Sequence, residues 1–413
     1  MCSDIVLTRK QEEALKIAVE RYKLGMPYTV ISGYAGSGKS TLVQFIIAAL
    51  RIPEEKVAYV AYTGKAANVL KQKGCPNATT AHKLLYYATK TPSGLFVFRP
   101  KSTLEVPYKL IVVDEVSMLP KDMWKLLLSH RIYVLACGDP GQLPPINKDQ
   151  VNDVLDNPHV FLDEIMRQAQ ESAIIRLSMH IREGLDFRDF PTVSGEVRIV
   201  QHAKDLYNNI EDYNNCLLGA EQIICSTNRQ RVALNNAVRK LQGRGPTPEI
   251  GDRLIGLTNH WDFSSEQNTA LTNGAIGELI DFKMVHQEYP TRLHIAPVDI
   301  MVSSITMDDG DEFFDVPVDY QQILTGNKTL NSEEEYRLAK YLKNYKGIDL
   351  PPFMPFDFTY GYAITCWKAQ GSEWNTILGF DAGWVRTKNK EEYIKYLYTL
   401  VTRASQKVIL VGD

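Results

Sequence analysis

Gly33-Tyr-Ala-Gly-Ser-Gly38-Lys39-Ser40 fits the phosphate-cradling pattern G-x-x-x-x-G-K-[ST] at every required position. Its flanks agree: Tyr28-Thr-Val-Ile-Ser32 reads as a short buried strand, and Thr41-Leu-Val-Gln-Phe-Ile-Ile-Ala-Ala-Leu50 reads as a helix with no breaker. In a strand, glycine loop and helix of this order, the loop N–H groups and the positive helix end point at the phosphates of a nucleoside triphosphate, which is the expected ligand. Gly33, Gly36 and Gly38 let the backbone come close, with Ser37 and Thr41 completing the cradle. Lys39 adds a mobile charge and Ser40 offers a hydroxyl to Mg2+.

Outward from the loop, strands and helices alternate. Thr8 is placed to cap a helix with Glu12 and Glu13 in its first turns; Val57-Ala-Tyr-Val-Ala61 is a second strand, and a helix follows from Lys65 to Lys73. Leu110-Ile-Val-Val113 is apolar throughout, as a central strand should be, and ends in Asp114-Glu115; Ile132-Tyr-Val-Leu-Ala-Cys137 repeats the arrangement and ends in Gly138-Asp139. The class is therefore α/β with a parallel sheet, whose ligands bind at the carboxyl ends of the strands. Asp114 is expected to hold Mg2+ through water and Glu115 to polarise the attacking water.

Residues 86–109 interrupt this rhythm with a basic β-hairpin insertion, so the first α/β domain is assigned to 1–85 and 110–168. A second α/β domain covers 169–249 and 356–413, and a small inserted β-barrel with turn pairs Asn273-Gly274 and Asp309-Gly310 covers 250–355. The chain's 413 residues suit such a multidomain plan, and 44% hydrophobic with 23% charged residues suits a soluble protein. A formal charge of −3 excludes coating nucleic acid by overall electrostatics and leaves local grooves open. Six scattered cysteines without a C-x-x-C pair read as reduced thiols, and no signal peptide or membrane span is visible, so a cytoplasmic protein without membrane contact is expected.

Four further stretches carry a resemblance: Asp114-Glu-Val-Ser-Met-Leu119, Gly138-Asp-Pro-Gly-Gln-Leu-Pro-Pro145, Thr365-Cys-Trp-Lys-Ala-Gln-Gly-Ser-Glu373 and Tyr398-Thr-Leu-Val-Thr-Arg-Ala404. They resemble motifs II, III, V and VI of superfamily 1 DNA helicases, in the RecD/Dda branch; Ala61-Tyr-Thr-Gly-Lys-Ala-Ala67 and Thr80-Ala-His-Lys-Leu-Leu85 are similar to motifs Ia and Ib. The resemblance implies two RecA-like domains, a hairpin acting as a duplex-splitting pin, and an SH3-like barrel. It further implies that Gln11 reads the adenine edge, Gln142 senses the γ-phosphate, Arg167 and Arg403 act as arginine fingers, and Gly371 and Glu373 adjoin the nucleotide.

For DNA, the same resemblance places Thr63, Lys65, Thr80, His82, Thr365 and Lys368 along a single-strand groove, where they grip phosphates without reading sequence. Tyr62 and Trp367 stand where the family usually has proline and histidine; Trp367 offers either a stacking surface or a ring packed under its loop. Phe96 and Phe98 share one face of the hairpin and either stack on a base or pack on the protein. The implied activity is ATP-driven movement on single-stranded DNA, 5′ to 3′, with separation of duplex junctions by a monomer, in the company of replication or recombination proteins. A translocase that displaces proteins shares the motor residues, and a DNA-independent P-loop NTPase shares the loop alone.

Overall fold

The computed structural model describes residues 6–90, 96–144, 152–265, 270–308, 310–345 and 352–413. Packing divides the chain into two compact units, one of Met1–Leu85, Pro100–Ser226 and Thr365–Asp413, the other of Tyr86–Arg99 and Thr227–Ile364.

The first strands are β1 (Tyr28–Gly33), β2 (Val57–Ala61), β3 (Ala78–Thr80), β4 (Tyr86–Lys90), β5 (Phe96–Pro100), β6 (Leu110–Val113), β7 (Tyr133–Gly138) and β8 (Val160–Leu162). Six of these form one sheet in the order β3-β2-β6-β7-β1-β8, parallel at every neighbouring pair. The uninterrupted apolar runs lie at its centre, as two covered faces require. The helix Lys39–Leu50 packs Leu42, Val43, Ile46 and Ile47 into the core with Ile31, Val112 and Leu135. Truncating such a buried leucine or isoleucine to alanine costs about 2–5 kcal/mol. The strands β9 (Val197–Val200) and β10 (Gln222–Cys225) follow and belong to a second sheet.

The other unit holds β11 (Arg253–Gly256), β12 (His260–Ser264), β13 (Ala270–Leu271), β14 (Ile276–Gln287), β15 (Val298–Met307), β16 (Glu312–Asp319) and β17 (Phe358–Tyr360). Five of them make an antiparallel sheet, β16-β15-β14-β11-β17. This unit extends past both ends of the expected 250–355 barrel. β17 pairs with β11 at Leu254↔Tyr360, and the helix Asn228–Leu241 is tied in by a buried ion pair, Arg239 Nε to Asp252 Oδ1 at 2.9 Å. Asn235 on that helix also donates to Ala363 O at 3.0 Å and accepts from Ala363 N at 2.9 Å. The ribbon β4-β5 groups with this unit as well, its β4 strand lying against β12.

The chain then runs through β18 (Ala363–Thr365) to β19 (Trp374–Phe380) and β20 (Ala404–Val411). Together with the earlier strands they give a second parallel array, β10-β19-β20-β9, in the first unit. Among the described residues no helix is long and apolar enough to cross a membrane.

Candidate active site

The glycine loop is fixed before any ligand is considered. Thr8 and Gln11 form a capping box on the helix Arg9–Lys23, with Gln11 Oε1 accepting the Thr8 N–H at 3.0 Å. The other end of the Gln11 amide donates to Ser37 O at 3.1 Å. Both ends of this buried side chain are engaged, so it braces the loop. Gly38 sits at φ 77° where a Cβ would meet Gln11 Nε2 at 2.5 Å, and at Gly33 a Cβ would meet Ser37 Oγ at 2.7 Å. Only glycine fits either place.

Lys39 Nζ donates to Gly33 O at 2.6 Å and Tyr34 O at 2.9 Å, which holds the ammonium at the loop. Ser40 is exposed in the first turn of the following helix and Thr41 comes next. Asp114, at the end of β6, lines the same cavity as Lys39 and Ser40. A serine hydroxyl and a carboxylate converging beside the loop are a donor set that fits a hard divalent cation.

Glu115 adopts φ 49°, an uncommon left-handed conformation for a residue with a side chain. Burial pushes its carboxyl above the ordinary glutamate value, aided by Asp114 and Asp139 and opposed by Arg403 and Lys39. Arg403 Nη1 lies 3.7 Å from Glu115 Oε1. The guanidinium is aimed by Nε donating to Thr399 O at 3.1 Å and Nη1 donating to Ser372 O at 3.2 Å. Gly371, at φ 74°, closes the same corner: a Cβ there would lie 3.2 Å from Glu115 Oε2 and 3.3 Å from Thr63 Oγ1. Residues after both sheets thus meet around Glu115.

Gln142 lies in the loop after β7, its N–H on Asp139 O at 3.3 Å. Arg167 begins the short helix Arg167–Glu171, but its side chain lies outside those described, as do the side chains of Phe96 and Phe98. Glu373 pairs with Lys73 at 3.5 Å, both side chains well exposed.

The residues expected along a DNA groove are engaged in several ways. Thr63 Oγ1 caps the helix Gly64–Gln72 by accepting Ala66 N–H, and Thr80 Oγ1 accepts Lys83 N–H. Lys65 Nζ sits 4.1 Å from the Trp374 ring centroid, a cation–π contact it must leave to reach a phosphate. The half-buried Trp367 ring packs 6.2 Å from the buried Tyr396 ring, and Thr365 O accepts Lys368 N–H at 2.9 Å.

His82 packs near Tyr62 and burial pushes its pKa down to about 4, so the ring is neutral near pH 7. His260, stacked on Phe356 at 3.5 Å, is likewise lowered to about 4 by burial and Lys328. Below the ordinary 6.5 the unfolded chain binds these protons and the folded chain does not. Stability from both groups is therefore complete above about pH 6.5 and is expected to fall as pH drops towards 4. Thermal midpoints at pH 7.5, 6 and 5 check this, and a His82→Gln/His260→Gln variant should show a flatter profile.

Sequence reasoning passed over the residues that bind the loop after β7. Asp139 Oδ2 accepts the Tyr398 hydroxyl at 2.8 Å, Leu143 N–H donates to Thr399 Oγ1 at 2.8 Å, and Gln370 Nε2 donates to Leu143 O at 2.5 Å. The only signal was that Gln370, Tyr398 and Thr399 fall inside recognised motifs.

Residues 6–201 match the AAA domain family and 360–411 the UvrD-like helicase C-terminal domain. The ATP-dependent RecD2 DNA helicase of Deinococcus radiodurans is 27% identical over 399 residues, 94% of this chain and 47% of that protein. In sequence the chain is similar to superfamily 1 helicases of the RecD/Dda kind. The ATP-dependent DNA helicase dda of Enterobacteria phage T4 is 24% identical over 57% of each chain. A solved structure describing DNA unwinding at forked dsDNA by two coordinating Pif1 helicases shares the fold, with a TM-score of 0.52 at 17% identity over 98% of this chain and 92% of that one. The chain spans about half the length of its RecD2 relative.

Proposed function

We propose that this chain is an ATP-driven DNA helicase that moves on single-stranded DNA, 5′ to 3′, and separates duplex at junctions. The observation that carries the reading is the approach of Arg403 to within 3.7 Å of Glu115 beside the Lys39 loop, which joins elements of both parallel sheets in one ATP site. Glu115 takes the proton of the water that attacks the γ-phosphorus as the bond to the leaving ADP oxygen breaks. Gln142 and Arg403 meet the charge on the γ-phosphate, and Lys39 spans the β- and γ-phosphates. Mg2+ held by Ser40 and Asp114 would neutralise charge on those oxygens. Arg167 is proposed as a second finger. The 86–109 ribbon serves as a pin, the antiparallel sheet as an SH3-like insertion, and Thr63, Lys65, Thr80, His82, Thr365, Trp367 and Lys368 as a groove for one DNA strand.

The relatives' helicase names and the ordered motifs support this reading. Hydrolysis is expected to rise at least about tenfold with a single-stranded oligonucleotide, and a fork with a 5′ tail should be unwound in preference to one with a 3′ tail. Turnover indifferent to DNA would overturn the motor reading. Stimulated turnover without strand separation would favour a translocase that displaces proteins.

A further inference from the structure

The helix Lys390–Val401 carries a residue that reaches the glycine loop directly. The Tyr398 hydroxyl accepts the Ala35 N–H at 2.8 Å and donates to Asp139 Oδ2 at 2.8 Å. Asp139 uses its other oxygen to accept Gly141 N–H at 2.9 Å, so its carboxylate shapes the turn that presents Gln142. The space for the phenol depends on Gly141, where a Cβ would meet Tyr398 Cε1 at 3.0 Å. Tyr398 and Asp139 are both almost fully buried, and burial with the Asp139 charge keeps the phenol protonated as a donor. A second contact grips the neighbouring loop residue: the Arg182 guanidinium lies 3.7 Å over the Tyr34 ring, which also meets the Tyr398 ring edge-on at 6.4 Å.

We propose that Tyr398 is a positioning residue for ATP hydrolysis, its hydroxyl holding the phosphate loop and the Gln142 turn in register with Arg403. The assignment rests on the ATPase reading above. Tyr398 precedes Arg403 by little more than one helical turn, so seating this hydroxyl and presenting the guanidinium are one event. Such registry matters because misplacement of about 1 Å can cost about a hundredfold in rate. It acts through groups that hold ATP and makes no contact with the reacting atoms.

The test is Tyr398→Phe in the full chain, with hydrolysis measured at saturating single-stranded DNA, nucleotide affinity measured with a non-hydrolysable ATP analogue, and thermal stability followed in parallel. The expected result is a fall in kcat of about tenfold or more, with analogue affinity within about threefold of wild type. An Asp139→Asn/Tyr398→Phe variant should lose little more than the worse single variant, because both break one link. Unchanged kcat, a loss of affinity as large as the loss of kcat, or fully additive double-variant losses would each overturn the proposal. A wild type that hydrolyses ATP without responding to DNA would instead remove the motor reading beneath it, a failure visible before any variant is made.

Discussion

Lys39→Ala is expected to lower ATP turnover by at least about a hundredfold and to abolish strand separation with it. In this structure the ammonium is held by two carbonyls of its own loop, Gly33 O at 2.6 Å and Tyr34 O at 2.9 Å, so it is already placed where phosphates would arrive. A charge on a flexible stem can follow the γ-phosphate as negative charge shifts during transfer, and alanine removes it while leaving the loop amides. Alanine is also a good helix former at the start of Lys39–Leu50, so the fold should persist and the thermal midpoint should move little. Steady-state hydrolysis with saturating single-stranded DNA, beside a strand-separation assay, reads both effects. Unwinding that survived the substitution would refute the proposed site.

The phosphate loop and its carboxylates were legible because their chemistry demands particular residue types within a few positions. Gly33, Gly38, Lys39 and Ser40 occur in one short run, and Asp114-Glu115 ends a strand whose unbroken apolar run marks it as central. What joins the two sheets is spread far along the chain: Tyr398 meets Asp139 across 259 residues, and Gln370 meets Leu143 across 227. No local pattern reports such pairings, and Gln11, Lys65 and Thr63 show the same limit. The resemblance named them as ligand contacts, and the fold also engages them with Ser37, with the Trp374 ring and with a helix N-terminus. The antiparallel unit outran its expected ends for a related reason. Its outer helix is secured by Arg239 on Asp252, a buried pair that neither composition nor turn signals reveal.

Arg403→Ala is expected to cut turnover by about a thousandfold or more while nucleotide binding falls by less than about tenfold. The guanidinium is almost fully buried, aimed by Thr399 O and Ser372 O, and lies 3.7 Å from Glu115, so its charge would act on a γ-phosphate bound at the proposed site. Lysine keeps the charge without the fork that satisfies both carbonyls, so Arg403→Lys should recover little. The loss has two sources that pH separates. Arg403 opposes the burial that raises the Glu115 pKa, so removing it drives that pKa higher and leaves less base at a given pH. That share returns as pH rises, because the deprotonated form is restored. The share owed to missing positive charge on the γ-phosphate does not return at any pH. A kcat profile whose deficit narrows above neutrality but stays large therefore supports a direct finger role. A deficit that vanished at high pH would reduce Arg403 to a partner of Glu115, and equal losses of binding and turnover would count against both.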